Sequence, residues 1–270
     1  MAERIRMNTL APWRDLLAQP SQRAHIVQLY QDENFLCEAV STFAASGLSK
    51  GEAVVLVATP AHSRALAARL KSKGINVETA QTSRQLTIAN AEEILPRLIV
   101  DCMPDMVEFN RFAMNLLQRI TGRYARVRWW GEIVGLLWEY GNHPAALRLE
   151  ELANDLTSKH SMMRMCSFHM DNFDSKTYGG PLQRLCMVHS HLIPVEDYGR
   201  FQQAFEKAAR ELLGPDQMTL DHFPAYHGGM TEMPRAEEAL LWLRENSPRT
   251  ADNVLKLTRE FYGASAPVRP

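Results

Sequence analysis

The stretch HIVQLYQDENFLCEAVSTFAASGLSKGEAVVLVATPAHSRALAARLKSKG, residues 25–74, decides the fold class. Its continuous apolar run at residues 53–59 (AVVLVAT) has the length of one strand and is typical of a parallel strand buried on both faces. A β-rich run at residues 25–30 and an amphipathic segment at residues 33–46, which we expect Gly47 to cap, precede it. Together these segments predict a strand–helix–strand unit.

Strand and helix signals continue to alternate downstream of this unit. We expect further strands at residues 76–79, 86–89, 125–130 and 162–168, and helices at residues 61–73, 104–121, 132–140 and 144–159. After about residue 180 the strand signal disappears, and helices are predicted at residues 181–190, 195–213, 235–246 and 249–262. The pattern predicts an α/β fold, with a mainly parallel sheet sandwiched by helices and a helical C-terminal extension.

This order of elements divides the chain into four regions. We expect an N-terminal arm with one short helix, an α/β domain, a helical extension and a disordered tail, at residues 1–23, 24–180, 181–262 and 263–270 respectively. Within the extension, residues 214–234 are rich in Gly and Pro and are typical of a connector.

Charge and composition narrow the classes of partner. Among 270 residues, 30 Lys and Arg balance 31 Asp and Glu, so no general electrostatic attraction to nucleic acid or an anionic membrane is expected. We find no signal-peptide pattern and no apolar run long enough to span a bilayer, and we expect a cytoplasmic protein. The four cysteines form no C-x-x-C pair, which favours reduced, buried thiols.

The turn after the first predicted strand has an unusual composition. Residues 30–37 read YQDENFLC, without the Gly-rich loop and the Lys with which a phosphate-binding loop holds a nucleotide. Asp32 and Glu33 bring two carboxylates to the start of the helix, where they would repel a triphosphate. Asp32 fits equally well as a simple N-cap. We therefore expect neither tight ATP binding nor ATP hydrolysis.

An ordered series of segments resembles the MEDS domain, a sensory domain related to RecA/KaiC-like ATPases. The segments are residues 25–32 (HIVQLYQD), 47–52 (GLSKGE), 58–62 (ATPAH), 90–95 (NAEEIL), 103–109 (MPDMVEF), 127–134 (VRWWGEIV), 141–142 (GN) and 145–150 (AALRLE). The resemblance covers roughly residues 24–170, and residues 186–194 (CMVHSHLIP) look like an extension that often follows such domains.

The resemblance implies a RecA-like fold without its phosphate-binding loop that senses a small organic molecule. A partner such as a transcription regulator or kinase would receive the signal, since we recognise no DNA-binding or kinase module in the sequence. The alternatives are a ligand-free interaction scaffold and, third, an enzyme. We expect the helices after Gly214 to mediate association with a second copy of the chain or with a partner, because apolar residues recur at helical spacing in the last two predicted helices. The alternative is that these helices cover the core of their own chain.

Topology suggests where a ligand would bind. Open parallel sheets bind ligands outside the carboxyl ends of their strands, where Asp32, Thr59 and Glu132 are expected. Three further candidates for ligand binding are His25, Tyr30 and Arg128. Plain helix capping is the alternative for the carboxylates.

We expect no cofactor and no metal. The spacing of Cys186, His189 and His191 does not match the compact four-ligand pattern of a zinc site, so structural roles are favoured for these residues. We also find neither a G-x-S-x-G motif nor a Cys–His signature of a catalytic nucleophile.

Overall fold

A computed structural model describes residues 13–160, 162–214, 220, 223 and 232–265. In this part of the chain, six strands form one parallel sheet in the order β3-β2-β6-β7-β1-β8. The strands are β1 (His25–Tyr30), β2 (Ala53–Ala58), β3 (Leu86–Asn90), β6 (Val127–Gly131), β7 (Met162–His169) and β8 (His191–Ile193). A separate antiparallel pair consists of β4 (Ile99–Val100) and β5 (Met103–Pro104).

Helices cover both faces of the sheet. On the first face lie α1 (Trp13–Ala18), α2 (Glu33–Ser49), α3 (Pro60–Ser72) and α4 (Val77–Thr82). On the second face lie α5 (Ala91–Leu98), α6 (Met106–Thr121), α7 (Ile133–Glu139), α8 (His143–Lys159), α9 (Pro181–Val188), α10 (Tyr198–Leu213), α11 (Arg235–Asn246) and α12 (Pro248–Ala264). The α/β sandwich with C-terminal helices predicted from the sequence is therefore confirmed.

Strand β2 shows why the apolar runs form the centre of the sheet. Every residue of β2 is buried, because helices pack on both faces. Val55 and Val57 contribute to the core on the second face, whereas Val54 and Leu56 contribute to the core on the first. A side-chain period of two within a run that is apolar throughout explains this division.

Gly47 does not end its helix as expected. Helix α2 continues to Ser49, and Gly51, with φ at +73°, follows its end. A Cβ atom at Gly47 would lie only 2.6 Å from Cδ of Arg128, so a glycine is required for close packing. Nε of Arg128 donates to Glu52 at 2.5 Å, and its Nη1 donates to the carbonyl of Leu17 at 2.8 Å.

Two strand predictions were wrong. Residues 76–79, predicted as a strand, lie mostly in α4, because the Asn76 side chain accepts from the Thr79 amide at 2.9 Å and starts a helix. After residue 180, where no strand was predicted, β8 pairs in parallel with β1. Three residues are too few for a recognisable strand pattern.

The C-terminal helices pack within the same chain. Helices α10, α11 and α12 contact one another, and their apolar residues contribute to the core of the second face. The buried residues include Leu240, Leu241, Leu243, Val254 and Leu255. Gly263 and Ala264, expected in a disordered tail, belong to α12, whereas residues 266–270 and most of the predicted 214–234 connector lie outside the described residues. No described helix combines the length and apolarity needed to cross a membrane.

Candidate functional site

Four side chains meet at the carboxyl ends of β1, β2 and β6, and we call them the edge group: Glu33, Thr59, His62 and Glu132. Glu132 follows β6 directly and is buried. Its Oε2 accepts from the Thr59 amide at 2.7 Å, while its Oε1 lies 2.5 Å from Nδ1 of His62. Because parallel strands end at the same edge, a strand-end carboxylate here reaches the first turn of α3.

His62 joins two carboxylates of the edge group. Its Nε2 lies 2.5 Å from Oε2 of Glu33, opposite the contact with Glu132. The hydrogen bond to Glu132 is the main cause that raises the pKa of His62 to about 9, and Glu33 adds to it. At neutral pH the imidazole is therefore a cation held between two anions.

The turn before α2 carries no phosphate-binding arrangement. Oδ1 of Asp32 accepts from the Asn34 amide at 2.8 Å, which makes Asp32 the N-cap of α2. Glu33, in the first helical turn, binds His62. Burial is the main cause that raises the pKa of Tyr30, with Glu33 adding to it, so the phenol stays protonated. Side chains of the chain itself thus occupy the positive end of the helix.

A second set of polar side chains lies inside the protein, and we call it the buried group: His25, Glu150, Arg164, Cys166 and His189. Each of them is at most 7% exposed. They come from the start of β1, from α8, from two positions on one face of β7 and from the residue after α9. Pairing of β1 with β7, with His25 opposite Arg164, brings the two strands' contributions together.

Contacts within the buried group are dense. Nη2 of Arg164 lies 3.2 Å from Oε2 of Glu150, and the same carboxylate oxygen lies 3.2 Å from Nε2 of His25. Sγ of Cys166 is 3.3 Å from Nε2 of His25. Oε1 of Glu150 is 3.4 Å from Nε2 of His189.

Burial sets the charge states in this group. Desolvation, with the neighbouring Arg164 cation, lowers the pKa of His25 to about 3, so its imidazole is neutral. Desolvation would raise the pKa of Glu150, but the adjacent His189 and His25 hold it well below its usual value. Burial raises the pKa of the Cys166 thiol.

Some polar atoms of the buried group lack a hydrogen bond. Oε1 of Glu150 and both Nε and Nη1 of Arg164 have no hydrogen-bond partner among the described residues. Leaving a buried polar atom unsatisfied costs about 1–3 kcal/mol. Each of these atoms can take a water, an ion or a ligand atom as its hydrogen-bond partner.

An apolar cavity of about 60 Å³ lies against this group, between the second face of the sheet and the helices that cover it. Glu150, Arg164 and Cys166 supply its polar side. The remaining lining residues are almost all apolar: Val57, Leu98, Phe109, Phe112, Trp129, Gly131, Ile133, Val134, Leu149, Ala153, Leu156, Met162 and Met165. An apolar enclosure with a few polar groups is the usual form of a site for a small organic molecule.

The six predicted ligand-binding residues separate in space. Thr59 and Glu132 do meet at the edge, where Asp32 caps the neighbouring helix and Tyr30 ends β1. His25 belongs instead to the buried group. Arg128, near the amino end of β6, holds the carbonyl groups of α1 and α2 and does not join the edge group.

Several residues of both groups were missed. His62 was noticed only within a family segment, although a His two residues after a strand-end Thr-Pro was a usable signal. The sequence signal for Arg164 and Cys166 was weaker. A charged residue such as Arg164 rarely occurs inside a buried strand unless it is paired. Trp130 lies in the core, while Trp129 lines the cavity.

Comparisons with known proteins support one family. No curated protein matches the chain. Among solved structures, the structure of C. elegans PCH-2 aligns at 11% identity over 93% of this chain and 66% of that chain, with a TM-score of 0.29, which is too low to carry an argument. The model of the MEDS family, described as the methanogen/methylotroph, DcmR sensory domain, matches residues 24–189. Since the match covers more than half of the sequence, the chain belongs to the MEDS family of sensory domains.

Proposed function

We propose that this protein is a non-catalytic sensor that binds a small, largely apolar organic molecule in the cavity and relays its presence to a protein partner. The partner would be a transcription regulator or a kinase. The fold would be a RecA/KaiC-like one that has lost its phosphate-binding loop. Membership of a sensory-domain family supports the general role.

The observation that carries the proposal is the cavity with its unsatisfied polar side. Its apolar lining favours a compact hydrophobic body, since burial contributes roughly 25 cal/mol per Å² of apolar surface. Nε and Nη1 of Arg164 are available to donate hydrogen bonds to polar atoms of a ligand. A compact molecule with one polar end therefore fits best.

Position within the fold supports a relay. The cavity is lined by α6 through Phe109 and Phe112, and by α8 through Leu149 and Ala153. Helix α8 also contacts α7 and α9. A ligand that changes the packing of α8 would act on elements of the same core that the C-terminal helices cover.

The edge group is a second candidate for ligand binding. Two carboxylates around one imidazolium leave it with a net negative charge, which favours a neutral or cationic ligand. Its hydrogen bonds, however, join its own members, whereas the buried group has atoms without partners. We therefore place the ligand in the cavity.

Thermal unfolding with and without benzene as a probe tests this placement. Saturable binding at 100 times Kd stabilises a protein by about 2.7 kcal/mol, so the melting temperature of the wild-type protein should rise. Ala153→Leu, which fills the cavity, should abolish the rise. Ala68→Leu is a matched control, because Ala68 is an exposed residue of α3 on the other face of the sheet.

A rise that is equal in wild-type protein and Ala153→Leu would place the probe elsewhere and contradict the proposal. Gas chromatography with mass spectrometry of organic extracts from the same three purified proteins then identifies the natural ligand. We expect it with wild-type protein and Ala68→Leu, and not with Ala153→Leu.

A further inference from the structure

Four potential metal-binding atoms converge in the buried group. They are a nitrogen of His25, an oxygen of Glu150, Sγ of Cys166 and a nitrogen of His189, and all lie within 4.8 Å of one another. They come from β1, α8, β7 and the residue after α9, so the tertiary fold assembles the cluster.

Hydrogen bonds to the backbone fix both imidazoles in one orientation. Nδ1 of His25 lies 2.8 Å from the carbonyl oxygen of Val188, and Nδ1 of His189 lies 2.7 Å from that of Leu185. A carbonyl oxygen only accepts, so each Nδ1 carries a hydrogen, which leaves Nε2 as the ring atom that can bind a metal. The same outer hydrogen bond orients most metal-binding histidines in proteins.

Both Nε2 atoms face the carboxylate of Glu150, at 3.2 Å for His25 and 3.4 Å for His189. A nitrogen lone pair and a carboxylate repel each other unless a proton or a cation lies between them. The Cys166 thiol donates to Oε2 of Glu150 at 3.5 Å, and its sulfur becomes a third ligand atom once that hydrogen leaves. A cation at the centre of this arrangement would turn repulsion into coordination.

Arg164 leaves that centre open. Its Nη2 lies 2.9 Å from Nδ1 and 2.6 Å from Nε2 of His25, and nearly equal distances to the two ring nitrogens put Nη2 over the ring face. The lone pair of Nε2 lies in the ring plane and points elsewhere. Arg164 thus pairs with Glu150 from one side and leaves the Nε2 lone pair of His25 available to a cation.

We propose that His25, Glu150, Cys166 and His189 bind one zinc ion in a tetrahedral site. Bonds from zinc to N, O and S ligands of about 2.0–2.3 Å place neighbouring ligand atoms about 3.3–3.8 Å apart in a tetrahedron. Of the four contacts, those at 3.3, 3.4 and 3.5 Å fall within this range and the one at 3.2 Å lies just below it. His189 faces Oε1 of Glu150, whereas His25 and Cys166 face Oε2. Two imidazoles, one thiolate and one carboxylate are all ligands that zinc accepts.

Zinc binding would require the buried group to release one proton. Cys166 must lose its thiol hydrogen to solvent, after which one thiolate and one carboxylate balance the two charges of zinc. The ion can reach the site through the cavity, because Glu150 and Cys166 line it.

Four protein ligands fill a tetrahedral shell, so this ion would be structural. It would tie α8 to β1 and β7 beside the cavity and make that side of the cavity rigid. This inference goes beyond the proposed sensor function, because zinc could bind whether or not the cavity holds an organic ligand.

Metal analysis and cobalt substitution of the full chain test the site. We expect about one zinc per purified chain by mass spectrometry. Replacement by Co²⁺ should give a thiolate-to-cobalt charge-transfer band and the strong visible absorption of a tetrahedral site. Cys166→Ser should lose the charge-transfer band, while Cys37→Ser, a buried cysteine on the other face of the sheet, should keep it.

Glu150→Gln keeps the side-chain shape and serves where Cys166→Ser fails to fold. Competition with a chromophoric chelator should show zinc affinity at least about 100-fold weaker in Glu150→Gln than in wild-type protein. A wild-type chain that takes up neither zinc nor cobalt overturns the proposal. A charge-transfer band that survives in Cys166→Ser, or unchanged zinc affinity in Glu150→Gln, also overturns it.

Discussion

The edge group and the buried group both pair histidine with glutamate, but His62 of the first and His25 of the second have opposite charge states. A hydrogen bond to Glu132 raises the pKa of His62 to about 9, whereas desolvation lowers the pKa of His25 to about 3. Both imidazoles lie within 3.2 Å of a glutamate oxygen. What differs is the setting, since His62 lies between two carboxylates near solvent and His25 is buried beside the Arg164 cation.

This difference indicates which group awaits a further binding partner. In the edge group, the charges of Glu33, His62 and Glu132 are paired with one another. In the buried group, polar atoms of Glu150 and Arg164 remain without hydrogen bonds and adjoin an apolar cavity. A self-contained cluster stabilises the fold, whereas an incomplete one beside a cavity is suited to binding.

The largest effect is expected from Arg164→Met, which leaves the Glu150 carboxylate buried without its guanidinium. Breaking a buried pair in this way typically costs about 3–5 kcal/mol. Urea denaturation in the presence of a chelator should show such a loss in the free energy of unfolding.

Arg148→Met is the matched control for this prediction. It removes an exposed partner of the exposed Glu151 on the same helix, and exposed pairs contribute at most about 1 kcal/mol. Combining Arg164→Met with Glu150→Gln should recover much of the loss, because no unpaired charge then remains. Equal effects of Arg164→Met and Arg148→Met would refute the contrast between the two kinds of site.

A smaller effect is expected from Glu132→Gln, which keeps the shape of the edge group and removes one charge. Hydrogen bonds to charged groups contribute about 1.5–3 kcal/mol, so a loss in that range is expected in the free energy of unfolding. The pKa of His62, followed by NMR, should fall towards 6.5. Glu139→Gln, at an exposed position of α7, should change stability by less than about 0.5 kcal/mol. An unchanged His62 pKa in Glu132→Gln would be inconsistent with this account.

The pH dependence of stability should carry the sign of the His62 shift. A folded-state pKa of about 9 lies above the ordinary 6.5, so this stabilisation is complete below about pH 6.5 and disappears as the pH rises through 9. We expect the protonated His62 to contribute about 1 kcal/mol to the free energy of unfolding, because Glu33 is exposed and solvent screens its interaction with His62. The difference in unfolding free energy between wild-type protein and His62→Gln should shrink from pH 6 to pH 9.5. A difference that grows with pH would have the wrong sign.

For the addition of MgATP we expect no measurable tight binding. Isothermal titration with MgATP should show no sub-micromolar site, because Asp32 caps α2 and Glu33 binds His62 where a phosphate-binding loop would present its amides. A tight, saturable heat signal would mean that the turn at residues 30–37 rearranges to bind phosphate.

Sequence patterns predicted those parts of the molecule that local chemistry determines. The buried run of β2 and the N-cap role open to Asp32 could be read directly, and so could the meeting of Thr59 and Glu132 at strand ends. Gly47 was misassigned as a cap, because its role depends on Arg128, which lies 81 positions away in the chain. The buried group was not predicted, because pairing of β1 with β7 and packing of α8 bring its members together.

Xenon binding tests the central claim, that the cavity is the ligand site, most directly. Xenon occupies empty apolar cavities and needs no knowledge of the natural ligand. In crystals of the wild-type protein under xenon pressure, we predict a xenon atom in the cavity between Phe112, Trp129 and Leu149. Glu132→Gln should retain it and Ala153→Leu should lose it. A cavity that stays without xenon in the wild-type protein, or a xenon atom found only at the edge group, would contradict the account.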